Sequence, residues 1–269
     1  MAGMDVISLW GSYAALGLFA GLLAGLMGIG GGLVIVPVLA GLFAMQGFSD
    51  SVIMPLALGT SLATIVFTSL SSLRAHHRHG AVRWSLMAQL SVGIVAGGWL
   101  SGFVARWLGG PLLAVLFGLF ELLVAAHLMF GKAPSAHRGA PGRGRNLLAG
   151  SIIGVVSALL GIGGGTLTVP WLVWHRVAMR EAVGTAAACG LPIALVGASG
   201  FVLAGNGVNG LPEGSSGFVY WPAVAAISIT SVLAAPLGAR LAHSMPQHRL
   251  KQAFALMLVA LGVWMMSGG

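Results

Sequence analysis

Apolar residues along this chain do not alternate with polar ones at a strand's period of two, and they do not trace one narrow helical stripe. They run on in long stretches, and the polar residues gather between them. Residues 54–73, 84–105, 111–130, 182–204, 220–239 and 250–266 are such stretches. Most approach the roughly 20 residues a helix needs to cross a bilayer, so the pattern predicts an all-α protein that crosses a membrane several times.

Two further apolar units carry an insertion of glycine. From Leu26 the chain reads LMGIGGGLVIVP, and from Leu159 it reads LLGIGGGTLTVP. With Gly17 aligned to Gly150, ten of twenty-one positions are identical: Gly17, Gly21, Leu26, Gly28, Ile29, Gly30, Gly31, Gly32, Val36 and Pro37 recur in order. Two echoes follow. Ala57-Leu58-Gly59-Thr60 returns as Ala182-Val183-Gly184-Thr185, and Gly80-Ala81-Val82-Arg83-Trp84 returns as Gly217-Phe218-Val219-Tyr220-Trp221. The chain therefore reads as a tandem duplication: a first repeat over 1–131, a basic linker over 132–146 and a second repeat over 147–269.

Composition agrees with the pattern. With 57% hydrophobic and 7% charged residues and a mean hydropathy of +0.97, the chain lacks the polar residues to coat a soluble globule. A net charge of +8 would suggest nucleic acid in a soluble protein; here the positions of the charges change its meaning. Apart from Arg106, every Lys and Arg falls in four short segments: Arg74/Arg78/Arg83, Lys132/Arg138/Arg143/Arg145, Arg176/Arg180 and Arg240/Arg249/Lys251. Placed together on the cytoplasmic side by the positive-inside rule, they leave Asp5, Asp50 and Glu213 outside. Threading the spans then puts both termini outside and requires each glycine unit to turn back on itself, so the two repeats are inverted. The N-terminus shows no basic n-region and reads as no removable signal peptide.

The second glycine unit, 147–174, would extend roughly 42 Å as helix, too short for two passes of about 30 Å, so a re-entrant hairpin is expected. Its turn is GIGGG, because glycine enters left-handed backbone freely and lets another chain approach closely. Beyond each run a half-helix begins with unpaired amide N–H groups and a positive dipole end. Bare backbone at membrane depth is tolerated only inside protein or beside a water-filled cavity. Two such N-termini converging from opposite sides predict a midplane anion site built from Gly30, Gly31, Gly32 and Leu33 with Gly163, Gly164, Gly165 and Thr166.

Other readings fare worse. Asp50 and Glu181 lie about 20 residues beyond their glycine runs, as in a dinucleotide fingerprint, but the soluble strand-turn-helix context is missing. Packing alone accounts for Gly17/Gly21/Gly25 and Gly150/Gly154/Ala158 at four-residue spacing, and less well for three adjacent glycines. Ser199 and His243 could form the pair of an intramembrane serine protease, yet threading sets them at opposite ends of their helices. A passive anion channel would share the site of a carrier.

The duplicated GxGGG-x-x-x-VP, the Gly59-Thr60-Ser61 and Gly184-Thr185-Ala186 triplets, and the basic loop ending in Gly-x-Val-x-Trp together resemble the sulfite exporter TauE/SafE family of membrane permeases, over nearly the whole chain. The resemblance implies a multi-pass protein of the bacterial inner membrane. It would move sulfur-containing anions such as sulfite, sulfonates or sulfoacetate, as a transporter and not an enzyme, with no cofactor and no metal. This chain departs from the family at Arg83 and Tyr220, where members often carry an acidic residue before the tryptophan, and at Ala186, which faces Ser61 of the first copy. The implied partners are a small anion and the lipid bilayer, not nucleic acid; a homodimer is left open.

Within that frame Thr60, Ser61 and Thr185 either cap and pack their helices or donate to a sulfonate oxygen. Thr166 begins the second half-helix where the first has Leu33, so the site would be asymmetric. Glu121, with His127 six residues on, is the acid inside a span and is either the coupling proton carrier or a protonated structural group. Arg74 and Arg83 could steer anions to the inner mouth. His76, His77 and His79 read as a basic loop rather than a metal site, Cys189 as a packing residue, and Trp84, Trp99, Trp107 and Trp221 as an aromatic belt.

Overall fold

The computed structural model describes residues 6–27, 31–131, 142–242 and 247–268. Gly28, Ile29, Gly30, most of the basic linker, Asp5 and His243 lie outside the described residues. The chain folds as helices α1 (Val6–Met27), α2 (Gly32–Met45), α3 (Asp50–Arg78), α4 (Trp84–Gly98), α5 (Ser101–Leu108), α6 (Gly110–Phe130), α7 (Arg143–Leu159), α8 (Gly165–Trp174) and α9 (Met179–Ala204). A two-stranded hairpin, β1 (Ser215–Ser216) with β2 (Val219–Tyr220), then precedes α10 (Trp221–Ala242) and α11 (Gln247–Met266).

Among the described residues seven helical segments are long and apolar enough to cross a bilayer: α1, α3, α4 with α5, α6, α9, α10 and α11. The protein is thus an all-α polytopic membrane protein. Its outward face fits that solvent, since Leu123, Ile229, Leu233 and Val92 are all more than half exposed on helices where water would disfavour them.

Small residues set the closest helix contacts. A side chain on Gly150 or Gly154 of α7 would collide with the carbonyls of Leu90 and Ile94 on α4, and one on Gly93 or Gly97 with Leu147 or Ser151. Gly17 and Gly21 of α1 meet Ile227 and Ser231 of α10 in the same way, and Gly238 meets Leu22. These are the four-residue spacings the sequence marks for packing; without a hydrophobic drive between helices in lipid, close backbone approach holds the bundle together. The remaining large pairings are α6 with α11 and α3 with α9. Helices α3 and α9 run antiparallel: Arg106 beside the start of α3 bonds Ala204 at the end of α9, and Arg180 at the start of α9 bonds the His79 carbonyl after α3.

The structure corrects several bounds. Helix α3 runs to Arg78, so His76 and His77 sit on its last turn and not in a loop; no cluster of His, Cys, Asp or Glu able to hold a metal occurs among the described residues. The stretch 84–105 is broken at Trp99–Leu100 into α4 and α5. Helix α1, with 22 residues, is long enough to span on its own, whereas α2 with 14 and α8 with 10 are not. Each glycine unit is therefore a longer helix followed by a short one.

Candidate site at the two helix breaks

The two breaks meet. A Cβ on Gly32, at the start of α2, would lie 2.6 Å from the Gly161 carbonyl and 2.9 Å from the Ile162 Cα, in the turn before α8. Only a residue without a side chain permits that approach. Gly161 itself has φ of 64°, a left-handed conformation, and packs against Leu58 of α3. Ser61, wholly buried on α3, donates its hydroxyl to the Gly161 carbonyl at 2.8 Å and so fixes the second turn from the first half of the chain.

Neither short helix has a side-chain cap. The Gly31 carbonyl accepts from Val34 and Ile35, and the Gly164 carbonyl from Thr168, so the first amide N–H groups of both helices have no side-chain partner. Gly163 is buried but loosely surrounded, since a side chain there would begin at ordinary contact distance, 3.9 Å, from Ile65 Cγ2. Gly164, in contrast, is pressed onto the backbone of α9 at Ala186 and Gly190.

Around the second break three buried hydroxyl oxygens have no hydrogen-bond partner: Ser157 on α7 and Thr166 and Thr168 on α8. A lone buried hydroxyl costs free energy unless something accepts or donates to it. Sequence reasoning singled out Thr166 and missed Ser157 and Thr168. The signal was present, because the aligned residues of the first unit are Ala24, Leu33 and Ile35, all apolar.

Thr60 and Thr185 are used differently. The Tyr220 N–H donates to Thr60 Oγ1 at 3.0 Å, and the Arg83 N–H donates to Thr185 Oγ1 at 3.0 Å. Next to them Gly59 packs on the Phe218 carbonyl and Gly184 on that of Ala81. Each Gly-Thr pair therefore clasps the Gly-x-Val-x-Trp loop of the other half of the chain. These clasps lie at opposite ends of α3 and α9, so the structure does not bring the two threonines together.

Glu121 is fully buried on α6 against α11, its Cβ 3.3 Å from where a side chain on Gly262 would begin, and neither carboxyl oxygen has a partner. Arg83 forms an ion pair with Glu181, Nε to Oε2 at 2.9 Å, with the two side chains 52% and 33% exposed. Its charge is thereby offset at the surface, while Arg74 stands exposed on α3.

Comparison with known proteins places this arrangement. The sequence profile described as sulfite exporter TauE/SafE matches residues 13–265. A probable membrane transporter protein of Haemophilus influenzae is 35% identical over 248 residues, covering 92% of this chain and 94% of its own. One of Methanocaldococcus jannaschii is 27% identical over 262 residues, covering 93% and 92%. The probable membrane transporter protein YunE of Bacillus subtilis is 31% identical over 174 residues, covering 58% and 64%. No solved structure matches the chain. A match that spans the seven apolar helices and both glycine units leaves one assignment: this chain belongs to the sulfite exporter TauE/SafE family and is a multi-pass membrane transporter, not an enzyme.

Proposed function

We propose that the protein is a secondary transporter of small sulfur-containing anions, sulfite or sulfonates, working outward across a bacterial inner membrane and coupled to the proton gradient. The observation that carries this reading is the close approach of the two glycine breaks, each opening a short helix without a side-chain cap, beside hydroxyls without partners. Each terminus presents roughly half a positive charge and contributes about 0.3 to 2 kcal/mol to an anion, enough to select and weak enough to release.

The packing supports an inverted duplication. Exchanging α1 with α7, α3 with α9, α4 with α10 and α6 with α11 turns the pair α1–α10 into α7–α4 and returns α3–α9 and α6–α11 to themselves. Equivalent helices α3 and α9 run antiparallel, as an axis lying in the membrane plane requires. Alternating access then amounts to rocking one repeat against the other around the breaks, with the Thr60 and Thr185 clasps at the two ends. Glu121 is the proton carrier in this scheme: a buried carboxyl without a partner gains or loses its proton only when a movement opens it to water.

Counterflow of sulfite and a panel of sulfonates in proteoliposomes tests the reading, with Gly163→Leu as the blocked control. Saturable counterflow that the variant lacks is expected; absence of movement for every sulfur anion would sink it. Coupling is tested separately. Glu121→Gln is expected to lose accumulation driven by an imposed pH gradient and to keep counterflow, and undiminished accumulation removes Glu121 from the mechanism.

A further inference from the structure

Arg106 is the basic residue that none of the four basic segments contains, and it sits on the face opposite the Arg83–Glu181 pair. It lines a cavity of about 330 Å³ together with Ser51 of α3, Gly109, Val208, Asn209 and Phe218. One guanidinium nitrogen, Nη1, donates to the Ala204 carbonyl at the end of α9, 2.9 Å away. That bond orients the planar group and leaves its other N–H donors free for the cavity. Asp50 and Glu213 belong to the same face, yet among the described residues the ion pair is Arg83–Glu181, and neither acid lines the cavity. Arg106 is exposed, is tied to the Ala204 carbonyl and has no carboxylate beside it, so its charge is available to an anion entering the cavity.

We infer that this cavity is an outer-face binding site for a small oxoanion, sulfate or sulfonate in size, held by the Arg106 guanidinium with Ser51 and Asn209 as further polar contacts. A volume of about 330 Å³ admits such an anion with a short organic tail. The sulfur chemistry rests on the transport reading above, while affinity for an oxoanion rests on the cavity itself. In that reading it is where the anion waits before release or is first caught from outside.

The test needs no transport. Cys189 is fully buried, so Val208→Cys, at a lining position given no polar contact to the anion, supplies the accessible thiol in the intact protein in proteoliposomes. Its modification rates by an anionic sulfonate thiosulfonate reagent and by a cationic ammonium reagent of equal size are compared. Adding Arg106→Gln is expected to lower the anionic-to-cationic ratio about threefold to tenfold, the effect of one nearby charge in a wet site. Arg106→Lys is expected to retain the ratio, which separates charge from the tie to Ala204. Sulfate or methanesulfonate, neither of which cleaves disulfides, should slow modification of the parent and not of the Gln variant. An unchanged ratio, or no protection of the parent, overturns the site, and protection alone decides if the Gln variant fails to fold. Protected labelling in a protein that moves no sulfur anion keeps the site and refutes the transport reading; counterflow without protection does the reverse.

Discussion

The two glycine units carry the same ordered residues and live in different surroundings. Nine of the 14 residues of α2 are buried, against two of the 10 in α8, so the first short helix is a sealed strut and the second is partly open. Helix α2 packs on α1, α3 and α11, whereas α8 packs on α7 and α9. The lining follows suit, apolar at Ala24, Leu33 and Ile35 and hydroxylated at Ser157, Thr166 and Thr168. A repeated backbone device thus sits in two environments, one copy buried among apolar residues and the other flanked by hydroxyls without partners.

The sharpest way to break this comparison is to fill each run with a side chain. At Gly164 a Cβ would stand 2.7 Å from the Ala186 carbonyl and 2.9 Å from the Gly190 nitrogen, both backbone that cannot yield, so Gly164→Ala is expected to cost about 1 to 3 kcal/mol. The aligned Gly31 meets the flexible tip of Ile35 at 3.2 Å and Ala20 at ordinary contact, 3.4 and 3.5 Å, and Gly31→Ala is expected to be mild. Thermal unfolding in detergent reads both, and equal midpoints would deny the asymmetry. A Cβ on Gly163 would make an ordinary contact with Ile65 Cγ2 at 3.9 Å, so Gly163→Leu is expected to cost less stability than Gly164→Ala while abolishing counterflow, a separation of folding from function that Gly164 cannot offer.

Next in size is the hydroxyl at the second break. Thr166→Val keeps the shape of the side chain and removes one donor to a bound anion, so counterflow affinity should fall about fivefold, the worth of one hydrogen bond of about 1 kcal/mol. Placing a hydroxyl at the sealed copy, Leu33→Thr, buries a polar group at a position that is 1% exposed, and should lower stability without raising affinity. A gain in affinity from Leu33→Thr would mean that the first break also faces the ligand.

How much of this could be read from residues alone differs by scale. Six of the seven spans were legible because a bilayer imposes length and apolarity on each helix separately, while α1 was merged into a glycine unit; the Gly17/Gly21 and Gly150/Gly154 packing seams were legible because the four-residue spacing is local. Ser157 and Thr168 were legible in principle, as hydroxyls opposite apolar residues in the aligned copy. What each glycine touches was not: Gly32 against Gly161 and Gly164 against Ala186 are decided by tertiary placement, which GGG in both copies cannot distinguish. The same holds for the clasps, whose partners are 160 residues apart for Thr60 and 102 for Thr185.

Those clasps supply the smallest and most specific contrast. Thr60→Val and Thr185→Val each remove one acceptor, and equal chemistry would suggest equal cost. The donors differ, however: the Tyr220 amide is buried with its side chain among Tyr13, Phe43 and Phe48, while Arg83 is at the surface and its amide is only partly covered. Water can replace Thr185 and cannot reach the partner of Thr60, so Thr60→Val should cost about 1 to 3 kcal/mol and Thr185→Val about 1 kcal/mol or less. In this reading the two hydroxyls serve the clasps and not the anion, so affinity in counterflow should stay within about twofold of the parent for both. A selective loss of affinity in Thr185→Val at unchanged stability would instead move that hydroxyl from the clasp to the transport path.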